Sequence, residues 1–343
     1  MSESVVLGID AERVEPWFVE HVDGAVAPLR FELLAGGHSN LTYAVSGADG
    51  RRFVLRRPPT GPLLASAHDM AREHRIIAAV GPTAVPVPAA LALCEDDDVN
   101  GAPFYVMDYV EGDVLHDETI TAERVPEADR PGLAWSLIDV LADLHRLEPD
   151  EIGLGDLGKK ADYIPRQLRR WSRQWEQSKT RELPVMERVH AFLEARVPEQ
   201  VGASIVHGDY RFGNCLSADG RIAAVLDWEL CTLGDPMADV GYLMNNWMQP
   251  GESAMGREAP PTAAGGFPDR DELLARYADR TGRDVSMVDY YRAFSYWRLA
   301  AIVEGVLARY LAGQMGEHDD PTVFRVQVDA LAEAASEAID RLG

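Results

Sequence analysis

The sequence is short of cysteine, of positive charge and of long apolar runs. Its 343 residues include three cysteines, an odd number without metal-ligand spacing, so neither a disulfide framework nor a zinc site is indicated. Few thiols fit a reducing cytoplasm. No apolar run reaches membrane-spanning length, and residues 1–10 contain no basic region followed by an apolar stretch. The formal net charge of −23 argues against general nucleic-acid binding. We therefore expect a cytoplasmic protein, monomer or homodimer, with no nucleic-acid or membrane partner.

Strand patterns dominate the first hundred or so residues, and helical patterns dominate the rest. Short apolar-rich runs bounded by turn residues predict strands at 30–34, 42–45, 51–57, 90–94 and 103–109. One helix is predicted at about 66–80, ending at Gly81-Pro82. After residue 112 the helical spacing of Leu133, Leu137, Leu141 and Leu144 and two later runs, 289–311 and 323–342, predict long helices. The pattern predicts an α+β protein with a strand-rich lobe at 1–111 and a helical lobe at 112–343, and a ligand site in the cleft between them.

The segment Val-His-Gly-Asp-Tyr-Arg-Phe-Gly-Asn at 206–214 carries the strongest chemical signal. Asp209 is followed five positions on by Asn214 and thirteen further by Asp227, which closes a short apolar run. This order suits phosphoryl transfer: Asp209 orients an attacking hydroxyl or acts as its base, and Asn214 and Asp227 hold Mg²⁺ on nucleotide phosphates. We assign His207 a bracing role. An isolated His-Gly-Asp is more often a simple turn, and the combination is what favours catalysis.

These motifs resemble the aminoglycoside phosphotransferase and choline kinase superfamily over about residues 33–247. The stretches Leu226–Leu230, Gly234–Pro236 and Phe104–Gly112 resemble the branch found with acyl-CoA dehydrogenases. The resemblance implies a protein-kinase-like bilobal fold with a small antiparallel-sheet N-terminal lobe and a mostly helical C-terminal lobe. It also implies an ATP-dependent small-molecule kinase using Mg²⁺, with GTP left open as the nucleotide, and a helical insertion at about 159–200.

The nucleotide is expected to bind to the strand-rich lobe. Gly36-Gly37-His38-Ser39-Asn40 lies between two predicted strands, where glycines allow close phosphate approach and Ser39 and Asn40 offer donors. A plain hairpin turn is the alternative, and the resemblance favours a phosphate loop.

Two further nucleotide contacts follow from the resemblance. Arg56 stands where protein kinases carry lysine, with Glu73 on the next helix as its partner. A surface arginine on an exposed strand is the alternative. The backbone carbonyl of Asp108 and the amide of Val110 are expected to meet the adenine edge.

One predicted helix has an unusual basic face. Arg166, Arg169, Arg170 and Arg173 form one stripe, opposite Ile164, Leu168, Trp171 and Trp175. The segment 159–181 carries eight basic and two acidic residues. Because the resemblance puts this region at the acceptor site, we expect an anionic or acyl-CoA-like alcohol as acceptor. A solvated helix face is the alternative. Glu229 and Trp247 are two further expected acceptor contacts.

The sequence leaves several functions open. The first is transfer of the ATP γ-phosphoryl group to a small-molecule hydroxyl. The second is a non-catalytic nucleotide or metabolite binder on the same fold. Asp209, Asn214 and Asp227 count against it, and the arginine at position 56 keeps it open. A true aminoglycoside phosphotransferase is the third. A protein kinase is disfavoured, because no Ala-Pro-Glu follows Asp227 and little room remains before Gly234-Asp235-Pro236. Asp235 and Asp239 are expected to brace the catalytic loop, with helix capping as the alternative.

Overall fold

The computed structural model describes residues 6–35, 40–60, 68–200, 202–255, 258–313 and 320–343. The chain divides into two compact units. The first unit runs to Gly112 and also contains Ala223–Glu229, and the second unit contains Asp113–Ile222 and Leu230–Gly343. Strands dominate the first unit and helices the second, which confirms the predicted α+β class.

The first unit is built on a five-stranded antiparallel sheet with strand order β1-β2-β3-β5-β4. Its elements are α1 (Ala11–His21), β1 (Arg30–Ala35), β2 (Leu41–Ser46), β3 (Arg52–Arg57), α2 (Met70–Val80), β4 (Ala90–Cys94), α3 (Asp97–Asn100) and β5 (Phe104–Asp108). The strands form where β-branched and aromatic residues cluster between turns.

Apolar side chains of α1 and of one sheet face form the core of this unit. Val14 and Phe18 of α1 are fully buried against Phe53, Leu55 and their neighbours. Helix α2 packs against β4 and β5. Since β3 lies between β2 and β5, Arg56 is held opposite Thr42 on one side and Tyr105 on the other.

The second unit is mainly helical, with two short strand pairs, β6 with β9 and β7 with β8. Its elements are α4 (Glu118–Arg124), α5 (Arg130–Arg146), α6 (Tyr163–Ser178), α7 (Pro184–Ala195), β6 (Ser204–Val206), β7 (Cys215–Ala218), β8 (Arg221–Val225), which crosses the boundary between the units, β9 (Thr232–Gly234), α8 (Met237–Asn245), α9 (Arg270–Thr281), α10 (Val288–Leu311) and α11 (Thr322–Asp340). Helix α10 packs against α6, α8 and α11 and is buried along most of its length.

The pairing of β6 with β9 fixes the two loops at the ends of these strands. Ile205 lies opposite Leu233, so the His-Gly-Asp loop that follows β6 and the Gly-Asp-Pro turn that follows β9 are held by one strand pair. Helix α8 starts directly after that turn.

Helices α1 and α2 are among the elements that differ from the sequence prediction. Helix α1 was not predicted, although Val14 and Phe18 have helical spacing. Helix α2 begins at Met70 and not at 66, because the Asp69 carboxylate accepts the Arg72 N–H at 2.9 Å and caps the helix there. No helix in the described ranges combines the length and apolarity needed to cross a bilayer.

Candidate active site

The predicted catalytic Asp209 lies on a loop whose glycine is structurally required. Gly208 has φ +88°, and a Cβ at this position would lie 3.0 Å from the Leu230 carbonyl oxygen. Glycine alone tolerates this backbone without strain. The Asp209 N–H donates to Nδ1 of the fully buried His207 at 3.3 Å, in agreement with the bracing role expected for His207.

Both carboxylate oxygens of Asp209 are hydrogen-bonded. Asn214 Nδ2 donates to Asp209 Oδ2 at 2.6 Å and to its backbone carbonyl at 2.8 Å. The Tyr242 hydroxyl donates to Oδ1, and Arg211 Nε lies 3.4 Å from the same oxygen. Because the Asn214 amide nitrogen faces Asp209, its amide oxygen is turned away from that carboxylate.

Asp239 braces the backbone of the loop that carries Asp209. Its carboxylate accepts the N–H groups of His207 at 2.6 Å and Gly208 at 2.8 Å, and it lies 3.3 Å from His145 Nε2. Burial alone would raise the pKa of Asp239, but His145, His207 and the Gly208 N–H together lower it. The predicted brace is confirmed for Asp239. Asp235 instead accepts the Met237 N–H at 3.0 Å and so caps α8.

In the first unit, Arg56 connects the two carboxylates of Glu73 and Asp227. Arg56 Nε lies 3.1 Å from Glu73 Oε2 without pointing its hydrogen at it, so the contact is an ion pair. Arg56 Nη2 pairs with Asp227 Oδ1. Burial opposes the charge of Arg56, but Glu73, Tyr105 and Asp227 raise its pKa above the usual value. The expected pairing of Arg56 with Glu73 is confirmed.

Buried Glu73 is the centre of a polar network that the sequence did not reveal. Asn40 Nδ2 donates to Oε1 at 3.0 Å and the Tyr105 hydroxyl to Oε2 at 3.1 Å. His68 Nδ1 lies 2.7 Å from the Asn40 amide oxygen, and since that oxygen only accepts, the His68 nitrogen carries the hydrogen. Burial raises the pKa of Glu73, while Arg56 opposes this.

Asp227 belongs to the segment that packs with the first unit. The Val225 N–H donates to the Pro86 carbonyl at 2.8 Å, which ties the segment to that unit. Asp227 itself has φ +63°, a left-handed backbone that Asp tolerates better than most residues. The structure therefore brings Arg56, Glu73 and Asp227 together in the first unit, and Asp209 with Asn214 in the second.

The remaining predicted nucleotide contacts are placed as follows. Asp108 is the last residue of β5, pairs with Phe53 and donates its N–H to the Ala89 carbonyl at 2.9 Å. Val110, two residues further on, is half-buried. Gly37, His38 and Ser39 lie outside the described residues, whereas Asn40 is buried.

A cavity of about 650 Å³ lies in the second unit. Its walls come from α8, α10, α11 and the segment after α8, and both Arg211 and Tyr242 line it. The cavity therefore reaches the two side chains that contact Asp209 Oδ1. Three other lining arginines have carboxylate partners: Arg270 binds Glu252 through two nitrogens, and Arg292 and Arg341 both pair with Asp289.

Trp247 is not available for the acceptor contact that the sequence led us to expect. It is 1% exposed, stacks on Phe212 at 5.7 Å between ring centroids, and donates its indole N–H to the Pro268 carbonyl at 2.9 Å. This expectation is corrected: the ring packs inside the unit. Glu229 is exposed in the short turn Trp228–Leu230 and does not line the cavity.

The basic face of α6 is confirmed as one side of an amphipathic helix. Ile164, Leu168 and Trp175 are buried, and Arg169, Arg170 and Arg173 are exposed. Arg166 donates to the Lys159 carbonyl at 2.7 Å. None of these four arginines lines the cavity. Their spacing predicted the helix face correctly and contained no information on which wall of the unit it would form.

A model of the phosphotransferase enzyme family matches residues 30–275, more than half of the chain. The chain belongs to the phosphotransferase enzyme family. The family match covers Asn40, Arg56 and Asp227 of the first unit and Asp209 of the second.

Curated relatives in this family are longer proteins. The chain is 37% identical over 299 residues to mouse acyl-CoA dehydrogenase family member 10, a match covering 86% of the chain and 27% of the mouse protein. It is 32% identical over 338 residues to chicken acyl-CoA dehydrogenase family member 11, covering 96% of the chain and 42% of that protein. The chain thus spans less than half of the length of either relative.

Solved structures of phosphotransferases share the fold. A candidate aminoglycoside phosphotransferase from Ralstonia eutropha JMP134 is 34% identical with a TM-score of 0.81, over 96% of this chain and 98% of the other. A thermostable mutant of aminoglycoside phosphotransferase APH(4)-Ia, in ternary complex with AMP-PNP and hygromycin B, is 18% identical with a TM-score of 0.60, over 94% and 98% of the two chains. The predicted protein-kinase-like fold is confirmed.

The site also contains residues to which sequence analysis gave no role. Arg211 and Tyr105 lie next to recognised positions, yet their side chains become relevant only through tertiary contacts. Tyr242 is 33 residues from Asp209, and no local pattern marks it. His145 directly follows Leu144, the last residue of the predicted leucine pattern, and this position in a helix is its sequence signal.

Proposed function

We propose that this phosphotransferase is an ATP-dependent small-molecule kinase that transfers the γ-phosphoryl group to an acceptor hydroxyl. The observation that carries the proposal is the fixed carboxylate of Asp209, whose neighbours Arg211 and Tyr242 line a cavity large enough for a small molecule. A carboxylate in this setting can aim a hydroxyl and accept its proton.

In the proposed reaction, the acceptor oxygen bonds to the γ-phosphorus as the bond from that phosphorus to the β–γ bridging oxygen breaks. Asp209 holds the hydroxyl and receives its proton, and ADP leaves. Arg56 steadies the phosphates, and its place between two carboxylates fixes its guanidinium before nucleotide arrives. The Asp108 carbonyl and Val110 amide are proposed to meet adenine, and residues 37–40 the phosphates.

Asn214 and Asp227 are proposed to hold Mg²⁺. The Asn214 amide oxygen is turned away from Asp209, and the second oxygen of Asp227, Oδ2, is not the one paired with Arg56. Both are hard oxygen donors of the kind that Mg²⁺ prefers. The bound ion would neutralise charge on the phosphates.

For the acceptor we propose an anionic or acyl-CoA-like alcohol. Relatives named acyl-CoA dehydrogenase family members support this class, as does the basic face of α6, where Arg169, Arg170 and Arg173 would repel a polycation. The competing acceptor is an aminoglycoside, favoured by the names of the structural neighbours. We propose the cytoplasm as the location, in keeping with free thiols at Cys94, Cys215 and Cys231.

The second candidate function is nucleotide binding without transfer. Arg56 supports it, because an arginine already engaged by Glu73 and Asp227 differs from a lysine in reach and geometry. Tight ATP binding with no acceptor-dependent turnover would favour this function over the kinase.

An ADP-release screen distinguishes these functions. The panel contains aminoglycosides, choline-like amines, hydroxy acids and hydroxyacyl-CoA thioesters, with ATP and GTP as nucleotides. We expect turnover with anionic alcohols and ATP, and Asp209→Asn to lower it by about 10²- to 10⁴-fold. Faster turnover of aminoglycosides would contradict the acceptor class, and normal turnover in the variant would contradict the role of Asp209.

A further inference from the structure

The two oxygens of the Asp209 carboxylate are occupied unequally. Oδ2 accepts one hydrogen bond, from Asn214 at 2.6 Å. Oδ1 accepts the Tyr242 hydroxyl and has the Arg211 guanidinium at 3.4 Å as well. Oδ1 therefore has a hydrogen-bond donor and a cation against it, whereas among the described residues Oδ2 has the Asn214 amide alone and keeps room for a further donor.

Tyr242 is fixed by the same helix that braces the loop. Helix α8 supplies Asp239, which binds the loop backbone at His207 and Gly208, and one turn later it supplies Tyr242. Arg298 of α10 contacts both the loop and Tyr242. Its Nη2 donates to the Gly208 carbonyl at 3.1 Å, and its guanidinium carbon lies 5.7 Å from the centroid of the Tyr242 ring. The backbone and the carboxylate of Asp209 are thus positioned by one rigid element.

Arg211 occupies a space that only glycine leaves open. A Cβ at residue 213 would lie 2.3 Å from Arg211 Nη1, so the guanidinium folds over Gly213 to reach Asp209. The backbone of Gly213 does not lie in the left-handed region, so alanine fits its conformation. Substitution there would displace the guanidinium without removing its charge.

We propose that Tyr242 and Arg211 are positioning residues that occupy Oδ1 of Asp209. The acceptor hydroxyl then donates its hydrogen bond to Oδ2. The proposal rests on the proposed kinase function and extends it by assigning the accepting oxygen and the side chains that enforce the choice. Both side chains also line the cavity, so a molecule bound there would lie against the two residues that orient Asp209.

Kinetics of Tyr242→Phe test the proposal. Removal of one hydroxyl frees Oδ1 and lets the carboxylate turn, so we expect kcat to fall by about 10- to 100-fold. The KM for ATP is expected to stay within about twofold, because no nucleotide contact changes. Gly213→Ala is expected to lower kcat by roughly tenfold through the displaced guanidinium.

Tyr290→Phe is the matched control. The Tyr290 hydroxyl is also buried in the second unit, but it donates to the Leu193 carbonyl at 2.7 Å and does not line the cavity. A merely structural role for Tyr242 would make the two variants alike. Equal kcat values for Tyr242→Phe and Tyr290→Phe would overturn the proposal.

Crystal structures of the wild-type chain and of Tyr242→Phe, each with ADP, test whether Tyr242 fixes the Asp209 carboxylate, and they require no acceptor. We expect the Asp209 carboxylate to rotate by more than about 30° in the variant. An unchanged orientation of the Asp209 carboxylate would overturn the proposed positioning role even if no acceptor is turned over. Lack of turnover by the wild-type chain with every acceptor would instead count against the kinase function, and the two failures are therefore distinguishable.

Discussion

At the scale of single residues, Arg56 is the position where this chain departs most from the protein-kinase pattern. Two different nitrogens of one guanidinium meet Glu73 and Asp227. A lysine ammonium is a compact point charge and cannot present two separated nitrogens in a fixed plane. The arginine therefore links two carboxylates in addition to supplying a positive charge, which gives a physical reason for arginine at this position.

We predict that Arg56→Lys weakens nucleotide use without abolishing it. The lysine keeps the charge but loses one of the two carboxylate partners, so kcat/KM for ATP should fall roughly tenfold, or about 1.4 kcal/mol. Steady-state kinetics with varied ATP measures this, and Arg51→Lys is the control, because the exposed Arg51 side chain donates to the Asp23 carbonyl and lies over the Phe53 ring. An unchanged kcat/KM in Arg56→Lys would show that the double contact is not needed.

Trp247 gives the second prediction at this scale. Since the indole is buried and bonded to the Pro268 carbonyl, Trp247→Phe should lower the free energy of unfolding by about 1–3 kcal/mol. The KM for the acceptor should not change. Urea unfolding and acceptor kinetics on one preparation separate the two effects, and a raised KM with unchanged stability would restore the acceptor contact that the structure argues against.

At the scale of elements, helices α5 and α8 meet in a buried pair, His145 with Asp239. Both side chains are buried, and His145 also contacts the Tyr277 hydroxyl at 2.8 Å through Nδ1. Burial lowers the pKa of His145, with the Asp239 carboxylate opposing that shift. The pair joins two helices to the catalytic loop, so its protonation affects the fold and the site together.

This pair predicts a loss of stability on mild acidification. The folded pKa of His145 lies below 6.5, so below pH 6.5 the unfolded chain binds a proton that the folded chain does not. Stability from this group is therefore present above pH 6.5 and is lost as the pH falls from there toward the folded pKa. The lowered pKa of Asp239 acts in a separate window, below about pH 4.

Urea unfolding at pH 7.5 and 5.5 checks the prediction. His145 should contribute a loss of stability between the two values. His145→Gln keeps a side chain that can donate to Asp239 but cannot titrate, so its loss should be smaller by that amount. Identical pH dependence in the two proteins would exclude His145 as the source.

At the scale of the whole molecule, the sequence predicts the fold and some local pairings better than it predicts which side chains surround Asp209 and Glu73. The strand pattern, Asp209, Asn214 and the pairing of Arg56 with Glu73 depend on short-range spacing or on a family motif. Tyr242, Tyr105 and Asn40 reach their partners through tertiary contacts over 32 or more residues, and such contacts have no local signature.

Trp247 and the basic face of α6 show the same physical limit of sequence analysis. The aromatic Trp247 near a Gly- and Pro-rich stretch suggested a ligand contact, but most large aromatics are buried and this one is. The arginine stripe of α6 identified an exposed face, but spacing along one helix does not tell which wall of a helical unit that face forms. Burial and the choice of packing partner are properties of the folded unit and not of a sequence window.

The most direct measurement of the central claim is ³¹P NMR of a reaction mixture containing the chain, ATP, Mg²⁺ and the best acceptor of the panel. We predict a new phosphomonoester resonance growing in step with ADP, and almost none when Asp209→Asn replaces the wild-type chain. Formation of ADP and free phosphate alone, or an equal ester signal from both proteins, would contradict a kinase in which Asp209 directs the acceptor hydroxyl.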